Sequence, residues 1–305
     1  MLGTDCAGEV VEVGSKVTQF KPGDRVLAHA IGMEKPRNTA AEGAFQEHTV
    51  VVQQLAAKIP DNMSYESAAV LPLGFSTAAC GLYEKDQLAL PYPSLNPMPN
   101  GKTLLIWGGS SSVGCNAIQL GVASGYEVIT TASPHNIEYL KKLGASQVFD
   151  YNSPTVVRDV IAAFQTRELA GAMSIGYGAT DLVLDIVPRC QGNKHITAAT
   201  FPGPKTPPTR FIIPNMVVSF LPKMIAYTVK SRMRGVKMTS IWGGSLANTE
   251  TSKAVYADFL PIALAQARFQ AAPGPMVVGH GLDKINTALE TLQKGVSAKK
   301  VVVTL

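Results

Sequence analysis

The sequence predicts an α/β protein with two domains, one built on a doubly wound parallel sheet and one that is smaller, β-rich and discontinuous in sequence. From about residue 103 to residue 242, short apolar runs alternate with helical periodicity, which is typical of βαβ units. The first 60 residues instead alternate apolar and polar side chains between glycine-rich turns. The chain has 305 residues, more than a single hydrophobic core usually serves, and 46% of them are hydrophobic.

The amino-terminal region predicts short strands followed by a helix. Residues 8–14 alternate as a strand does, residues 21–26 supply a turn and a further strand, and residues 43–52 continue the pattern. Ser64 is a typical helix N-cap, and helical spacing continues past Pro72 to about residue 88. The proline-rich residues 90–101 then predict a surface loop.

The later apolar runs define the domain boundaries that we expect. They predict strands at residues 103–107, 127–131, 147–149, 181–187, 195–199 and 238–242. A helix over residues 252–268, an amphipathic segment over 283–293 and a strand over 300–305 follow. We expect residues 1–75 and 246–305 to form the discontinuous β-rich domain, with residues 76–245 inserted as the parallel-sheet domain.

Composition favours a small-molecule ligand. The chain carries 27 Lys and Arg against 22 Asp and Glu, a net charge of +5 that is too small and too dispersed to predict nucleic-acid binding. Its 4 cysteines are isolated, so neither a CxxC zinc site nor a secreted disulfide framework is expected.

No membrane or export signal is expected. The most apolar stretch, residues 211–229, contains two prolines, an asparagine and a lysine, which a bilayer span would not tolerate well. We expect it to line a cleft or a subunit interface. The chain opens without a basic region followed by an apolar one. We therefore expect a cytoplasmic monomer or homodimer.

A phosphate-binding turn is predicted where a strand passes into a helix. Backbone can approach a pyrophosphate closely at glycines, and a helix N-terminus favours an anion. The predicted turn comprises Gly108, Gly109, Ser110, Ser111, Ser112, Val113 and Gly114. A strict GxGxxG is absent because serines occupy two glycine positions, so an ordinary βα turn is the alternative. The βα units that follow favour dinucleotide binding.

The end of the next strand indicates NADPH rather than NADH. NAD-binding proteins place an acidic residue there, roughly 20 positions after the glycines, to bind the ribose 2′-OH. Residues 130–136 contain no carboxylate. Ser133 is a candidate N-cap and Pro134 a first helical residue, so a 2′-phosphate could bind Ser133 and Asn136 with His135 nearby.

Together these elements resemble the medium-chain dehydrogenase/reductase superfamily. The resemblance covers nearly the whole chain and is carried by residues 2–8, 13–14, 20–26, 43–48, 69–74, 77–78, 108–114, 142–145 and 301–303. Residues 133–136 and 149–151 are most similar to zinc-free fungal members often labelled zinc-binding oxidoreductases, including the trans-acting enoyl reductases of polyketide pathways. The resemblance implies a GroES-like domain and a Rossmann domain.

The resemblance also implies roles for individual residues. Thr77 would lie beside the nicotinamide. The substrate cleft would include Leu73, Gly74, Phe75, Ser76 and Ala78. Residues 110–113 would hold the pyrophosphate, residues 133–136 the 2′-phosphate, and Tyr151 would pack at the adenosine end.

A catalytic zinc is not expected. Zinc-dependent relatives carry a Gly-His-Glu motif, whereas this chain has Gly3, Thr4 and Asp5, so a threonine replaces the imidazole. Residues 27–43, which would hold a structural zinc, contain no cysteine. Cys6 is expected to pack rather than to act as a nucleophile, since no histidine is placed to activate it.

The expected activity is NADPH-dependent, zinc-independent hydride transfer to an activated C=C, in an enone or enoyl thioester, or to a quinone. An alcohol dehydrogenase is one alternative. The other is an inactive NADPH-binding protein, because the family usually carries an amino-terminal active-site segment that we expect to be missing here.

Overall fold

The predicted α/β architecture is confirmed by a computed structural model, which describes residues 2–203 and 212–305. For residues 212–217 and 219 it describes the backbone alone. The polypeptide forms a parallel sheet with helices on both faces, a small antiparallel sheet and a parallel strand pair near the carboxyl terminus.

The amino-terminal region forms the antiparallel sheet and leads into two helices. Strands β1 (Asp5–Glu9), β2 (Arg25–His29) and β3 (Ala56–Lys58) pair in that order. Helix α1 (Tyr65–Ala68) begins after Ser64, whose side chain accepts a hydrogen bond from the amide of Ser67 as an N-cap does. Helix α2 (Pro72–Tyr83) follows and is buried along almost its whole length.

The central part of the chain builds the parallel sheet. Its elements are β4 (Lys102–Trp107), α3 (Ser112–Ala123), β5 (Glu127–Ala132), α4 (Ile137–Lys142), β6 (Gln147–Asp150), α5 (Val156–Ala163), β7 (Glu168–Ser174), α6 (Ala179–Ile186), β8 (His195–Ala198), α7 (Ile212–Met233) and β9 (Lys237–Ser240). The strand order is β6-β5-β4-β7-β8-β9, and all neighbours are parallel. The order reverses between β4 and β7, where open α/β sheets place their ligands.

The carboxyl-terminal part adds helices and the strand pair. Its elements are α8 (Glu250–Ser252), a π-helical segment (Lys253–Phe259), α9 (Leu260–Ala265), β10 (Gly274–His280), α10 (Ile285–Lys294) and β11 (Lys299–Thr304). Strands β10 and β11 are parallel. The apolar face of α10 lines an open hollow of about 1400 Å³, which is also bounded by β1 and β11.

The side chains of β4 alternate between two separate layers of the hydrophobic core. Leu104 and Ile106 join the core beneath α2 and α3, whereas Leu105 and Trp107 join the core beneath α5 and α6. Successive strand residues point to opposite faces, so each face of the sheet is covered by its own helices.

Several local predictions were wrong. Residues 181–187 lie largely in α6, because a short apolar run cannot distinguish a buried helix from a strand. The strand is instead β7, whose Ala- and Gly-rich sequence has weak β-propensity. Residues 43–52 form no strand: Ala44 and Phe45 donate single hydrogen bonds to Gly3 and Leu2, which do not extend into a ladder. Residues 8–14 also extend beyond the strand, which ends at Glu9.

The helical segment predicted from Ser64 to residue 88 forms two separate helices, α1 and α2, and α2 ends at Tyr83. Helix α2 runs across the predicted domain boundary at residues 75 and 76, and the division into two domains stays a prediction. The apolar stretch 211–229 falls in α7, except Phe211, which lies outside the described residues. In the described ranges, no helix combines the length and apolarity that a bilayer crossing requires.

A buried chain of hydrogen bonds fixes α2 against the antiparallel sheet. Tyr256 donates its hydroxyl proton to Pro72 O at 3.1 Å, and the oxygens of Ser76 and Tyr256 are 2.7 Å apart. The Ser76 hydroxyl must therefore donate its proton to Tyr256. The lone pairs of the Ser76 oxygen are then free to accept a hydrogen bond from Nδ1 of His29 at 2.9 Å. His29 is thus held as the neutral Nδ1–H tautomer. Burial is the main cause that lowers the pKa of His29 to about 4; the nearby Asp5 acts in the opposite direction, and Lys300 adds a smaller lowering.

We predict that Phe75→Ala destabilises the protein by about 3–5 kcal/mol, because it leaves a cavity in the core. Phe75 is fully buried and packs edge-on against Tyr256 and Phe269, with ring centroids at 5.2 and 5.6 Å. Urea unfolding measures the loss. Met98→Ala, at a side chain 82% exposed, is the control and is expected to cost no more than about 0.5 kcal/mol. Equal losses would show that Phe75 is not in the core.

We predict that stability falls as the pH is lowered from about 6.5 to about 4. The unfolded chain takes up a proton at His29 near pH 6.5, whereas the folded protein holds the pKa of this group at about 4. Folded stability is therefore complete above pH 6.5, and roughly 3 kcal/mol is lost before the slope levels off near pH 4.

Urea unfolding across this pH range measures the slope, which His29→Gln should make shallower. Part of the remaining slope belongs to His195, whose pKa burial also lowers to about 4. An unchanged slope in His29→Gln would contradict the prediction.

Candidate functional site

The turn between β4 and α3 brings the predicted phosphate-binding residues together at the carboxyl edge of the sheet. Gly108 has φ +89°, and a Cβ there would lie 2.5 Å from Ile175 O. A Cβ at Gly114 would overlap Gly108 O. Glycine at these two positions therefore allows the turn to close and α3 to begin directly beneath it.

The hydroxyls of the turn serve different purposes. Ser111 is the N-cap of α3: it accepts from the amide of Gly114 at 3.0 Å and donates to Gly108 O at 2.8 Å. Its hydroxyl is thus engaged within the turn. Ser110 and Ser112 are half-buried, and in residues 2–203 and 212–305 their hydroxyls make no hydrogen bond. Val113 is half-buried against the core below α3. Ser110, Ser112 and the first amides of α3 are the donors that could bind an anion.

Strand β5 holds this turn in place through a residue that the sequence analysis missed. The side-chain oxygen of Thr131 accepts from the amide of Gly108 at 3.0 Å, and its carbonyl accepts from the amide of Gly109 at 2.9 Å. A Cβ at Gly109 would overlap the hydroxyl of Thr130. The glycines therefore also allow the turn to lie flat against β5.

The predicted 2′-phosphate residues follow β5 directly. Ser133 and Pro134 open a 3-10 turn, although the Ser133 side chain caps no amide there. The hydroxyl oxygens of Ser133 and Tyr151 instead lie 2.9 Å apart. Tyr151 is 41% exposed, so both hydroxyls are accessible to a ligand. The structure brings these two predicted residues together from the ends of β5 and β6.

Ser297 is a second residue that the sequence analysis missed. Its hydroxyl lies 2.8 Å from Nε2 of His135 and accepts from Nδ2 of Asn136 at 3.1 Å. Ser297 precedes β11, so these bonds tie the end of β5 to the carboxyl-terminal strand pair. A serine 161 residues from Asn136 gives no signal in the sequence.

The predicted catalytic and cleft residues lie on α2, mostly inside the protein. Thr77 is 9% exposed and donates its hydroxyl proton to Leu73 O at 2.8 Å. Leu73 is half-buried and lines the 1400 Å³ hollow. Gly74 packs on the start of α3, where a Cβ would lie 3.0 Å from Ser112 O. The side chains with no exposed surface are Phe75, Ser76 and Ala78. Their role in a substrate cleft stays a prediction.

The residues near Thr4, which aligns with the histidine of the Gly-His-Glu motif in zinc-dependent relatives, are engaged with other groups. Asp5 accepts from the amide of Leu73 at 2.7 Å and from Nζ of Lys300 at 2.9 Å. Burial, with a smaller contribution from Asp5, raises the pKa of the Cys6 thiol to about 12, so Cys6 is a poor nucleophile. Among the described residues, no three His, Cys, Asp or Glu side chains converge as metal ligands.

Exposed aromatic side chains lie just beyond the carboxyl ends of β7, β8 and β9, and the sequence analysis missed them. Tyr177 follows β7, Phe201 follows β8 and Trp242 follows β9, with exposed fractions of 59%, 43% and 56%. Tyr177 and Phe201 also line a hollow of about 180 Å³. Each of these residues lies within about three positions of the end of a strand. Correct placement of the strands in the sequence would therefore have indicated them as candidates for the site.

Comparison with known proteins places the chain in a family. The profile of the alcohol dehydrogenase GroES-like domain matches residues 1–61. Dehydrogenase pigH of Monascus ruber is 48% identical over 306 residues, which cover 100% of this chain and 83% of that protein. Trans-enoyl reductase himH of Aspergillus japonicus is 40% identical over 303 residues, covering 99% of this chain and 80% of the relative.

Solved structures share the fold. The quinone oxidoreductase of Escherichia coli, solved in complex with NADPH, matches with a TM-score of 0.70 and 19% identity over 100% of this chain and 82% of that one. With relatives of this identity and coverage, the chain belongs to the medium-chain dehydrogenase/reductase superfamily of oxidoreductases, among its fungal dehydrogenases and trans-enoyl reductases.

Proposed function

We propose that this chain is an NADPH-dependent, zinc-independent reductase that transfers hydride to a C=C conjugated with a carbonyl, in an enone or enoyl thioester, or to a quinone. The observation that carries the proposal is the row of strand ends at the carboxyl edge of the sheet. A glycine turn lies at its centre, neutral hydroxyl donors lie at the ends of β5 and β6, and Thr77 lies on the helix that packs against α3.

The order of the strands in the sheet predicts the orientation in which the cofactor would bind. The pyrophosphate would bind Ser110, Ser112 and the start of α3, and the adenosine would lie toward β5 and β6, where Ser133 and Tyr151 are exposed to a ligand. The nicotinamide would then extend to the other side of β4, toward β7 and α2. When bound there, the reduced cofactor supplies the hydride, while the protein orients it and the substrate.

Preference for NADPH is supported by the chemistry at the end of β5. The hydroxyls of Ser133 and Tyr151 and the exposed imidazole of His135 can donate hydrogen bonds to phosphate oxygens, whereas Asn136 is only 6% exposed and already donates to Ser297. An acidic side chain, which would bind a ribose 2′-OH and repel a phosphate, is missing from residues 130–136. The solved quinone oxidoreductase with NADPH shares this fold, which supports binding of a nicotinamide cofactor.

Zinc independence is supported by the groups near Asp5. Both of its oxygens are already hydrogen-bonded, and Thr4 offers only a hydroxyl. These groups do not form the set of nitrogen, sulfur or carboxylate ligands that zinc prefers. The substrate carbonyl would instead be polarised by hydrogen-bond donors, which suits transfer to an already activated C=C.

Thr77 can position the nicotinamide as an acceptor. Its hydroxyl proton is given to Leu73 O, so its remaining lone pairs can accept from an amide N–H such as that of the nicotinamide carboxamide. This role needs little exposed surface, in agreement with the 9% that Thr77 retains.

We predict that the protein oxidises NADPH when given an enone, a soluble enoyl thioester or 1,4-benzoquinone, and that a chelator does not reduce the rate. Thr77→Val should lower kcat/KM roughly 2- to 10-fold, the value of one hydrogen bond. Loss of NADPH absorbance measures the rate.

Thr291→Val is the matched control, since Thr291 also donates to the carbonyl four residues earlier but lies on the exposed α10. NADPH binding without turnover of any substrate would favour the inactive binding protein. Activity that disappears with chelator would reverse the argument about zinc.

We predict that Ser133→Asp raises the Kd for NADPH about tenfold or more, by repulsion between the new carboxylate and the 2′-phosphate, and affects NADH far less. Fluorescence titration with each coenzyme measures both values. Ser133→Asn, which has a similar size without the charge, is the control and should lie closer to the unsubstituted protein. Equal weakening of both coenzymes by the aspartate would show that Ser133 does not contact the 2′-phosphate.

A further inference from the structure

Trp242, Phe201 and Phe220 form an aromatic cluster at the carboxyl ends of β8 and β9. The ring of Phe201 lies 6.2 Å from that of Trp242 and 6.4 Å from that of Phe220, at interplanar angles of 52° and 47°. These distances are typical of interacting aromatic pairs. The rings are tilted rather than stacked, so they leave ring faces uncovered, and Phe201 and Trp242 remain 43% and 56% exposed.

The exposed indole of Trp242 is held in one orientation by a carboxylate. Its Nε1–H donates to both oxygens of Glu34, at 2.7 and 2.8 Å. The Glu34 side chain lies on Gly244, where a Cβ would approach its Cδ to 2.7 Å. Glu34, which packs on Gly244, therefore fixes the orientation of the Trp242 ring, although this ring is largely exposed to solvent. An exposed aromatic surface fixed in this way is typical of a binding site.

The cluster is continuous with the proposed site on α2. Gly243 follows Trp242 directly and packs on Thr77: a Cβ at Gly243 would lie 2.7 Å from Oγ1 of Thr77 and 3.2 Å from its amide nitrogen. Trp242 is therefore the direct chain neighbour of the residue that packs on Thr77, which we place beside the nicotinamide. A substituent on the reacting carbon of a substrate could extend from Thr77 onto these rings.

We infer that the cluster of Phe201, Phe220 and Trp242 selects substrates whose reacting C=C bears a flat, conjugated group such as an aryl ring, and that Glu34 is the positioning residue for Trp242. The inference rests on the proposed function and names the class of substrate within it. A planar π-system would pack against the uncovered ring faces. Such aromatic contacts stabilise the bound substrate more than the burial of apolar area alone does. An enone carrying only a methyl group would leave these faces in water.

The test compares two enones that differ only in this substituent, benzylideneacetone with a phenyl group and ethylideneacetone with a methyl group. We expect the phenyl substrate to have the higher kcat/KM. Trp242→Leu should lower the phenyl-to-methyl ratio of kcat/KM about 3- to 10-fold, mainly through a higher KM for the phenyl substrate, because leucine keeps apolar bulk but removes the ring face.

Variants of Glu34 separate positioning from general damage to the protein. Glu34→Ala releases the indole and should lower the same ratio, whereas Glu34→Gln keeps an oxygen that accepts from Nε1–H and should restore it. Tyr92→Leu is the matched control: Tyr92 is a 41% exposed aromatic residue in the loop before β4, and its loss should leave the ratio unchanged. A ratio that is the same in all variants would overturn the inference.

Binding is measured separately, so that the result does not depend on turnover. The saturated ketone benzylacetone should quench tryptophan fluorescence in a saturable manner in the unsubstituted protein and not in Trp242→Leu. Methyl propyl ketone should bind at least about tenfold more weakly. Equal quenching by both ketones, or quenching that persists in Trp242→Leu, would refute the inference. If neither enone is reduced, the proposed function fails, and the quenching experiment still decides whether the cluster binds aryl groups.

Discussion

The position of helix α2 depends on one half-buried carboxylate, that of Asp5. It accepts the amide of Leu73 in the first turn of α2 and the ammonium group of Lys300 in β11, so a single side chain joins three distant parts of the sequence. The first amides of a helix lack partners within the helix, and a negative charge there is favourable. Thr77 lies one turn further along, and its place beside the parallel sheet follows from this anchor.

The polarity of the parallel sheet divides the candidate site into two halves. On one side of β4, the strand ends carry hydroxyl, imidazole and amide groups that suit a phosphorylated ligand. On the other side, the strand ends carry exposed aromatic rings. Because parallel strands all end at one edge, a ligand that crossed the central turn would contact polar groups at one end and apolar groups at the other. This distribution is the basis for proposing a cofactor and a conjugated substrate side by side.

Local chemistry made part of the candidate site recognisable in the sequence. The turn from Gly108 to Gly114 and the position of Ser133 could be identified because glycine spacing, capping residues and a missing carboxylate act over a few positions. Strand β7 could not be identified, since its small residues have weak β-propensity and become a strand only between β4 and β8. The neighbouring run at 181–187 was assigned to a strand for the converse reason, since a buried helix can also be continuously apolar.

The sequence by itself determined the fold class, the position of the glycine-rich turn after β4 and the family, because these depend on periodicity and on short motifs. Only the tertiary structure decided that Phe75, Ser76 and Ala78 are buried, that Ser133 meets Tyr151, and that Glu34 holds Trp242. These contacts join residues far apart in the chain, such as Glu34 and Trp242, which are separated by 208 positions. No local pattern encodes such a pair, since it exists only when the antiparallel sheet, α2 and β9 have packed together.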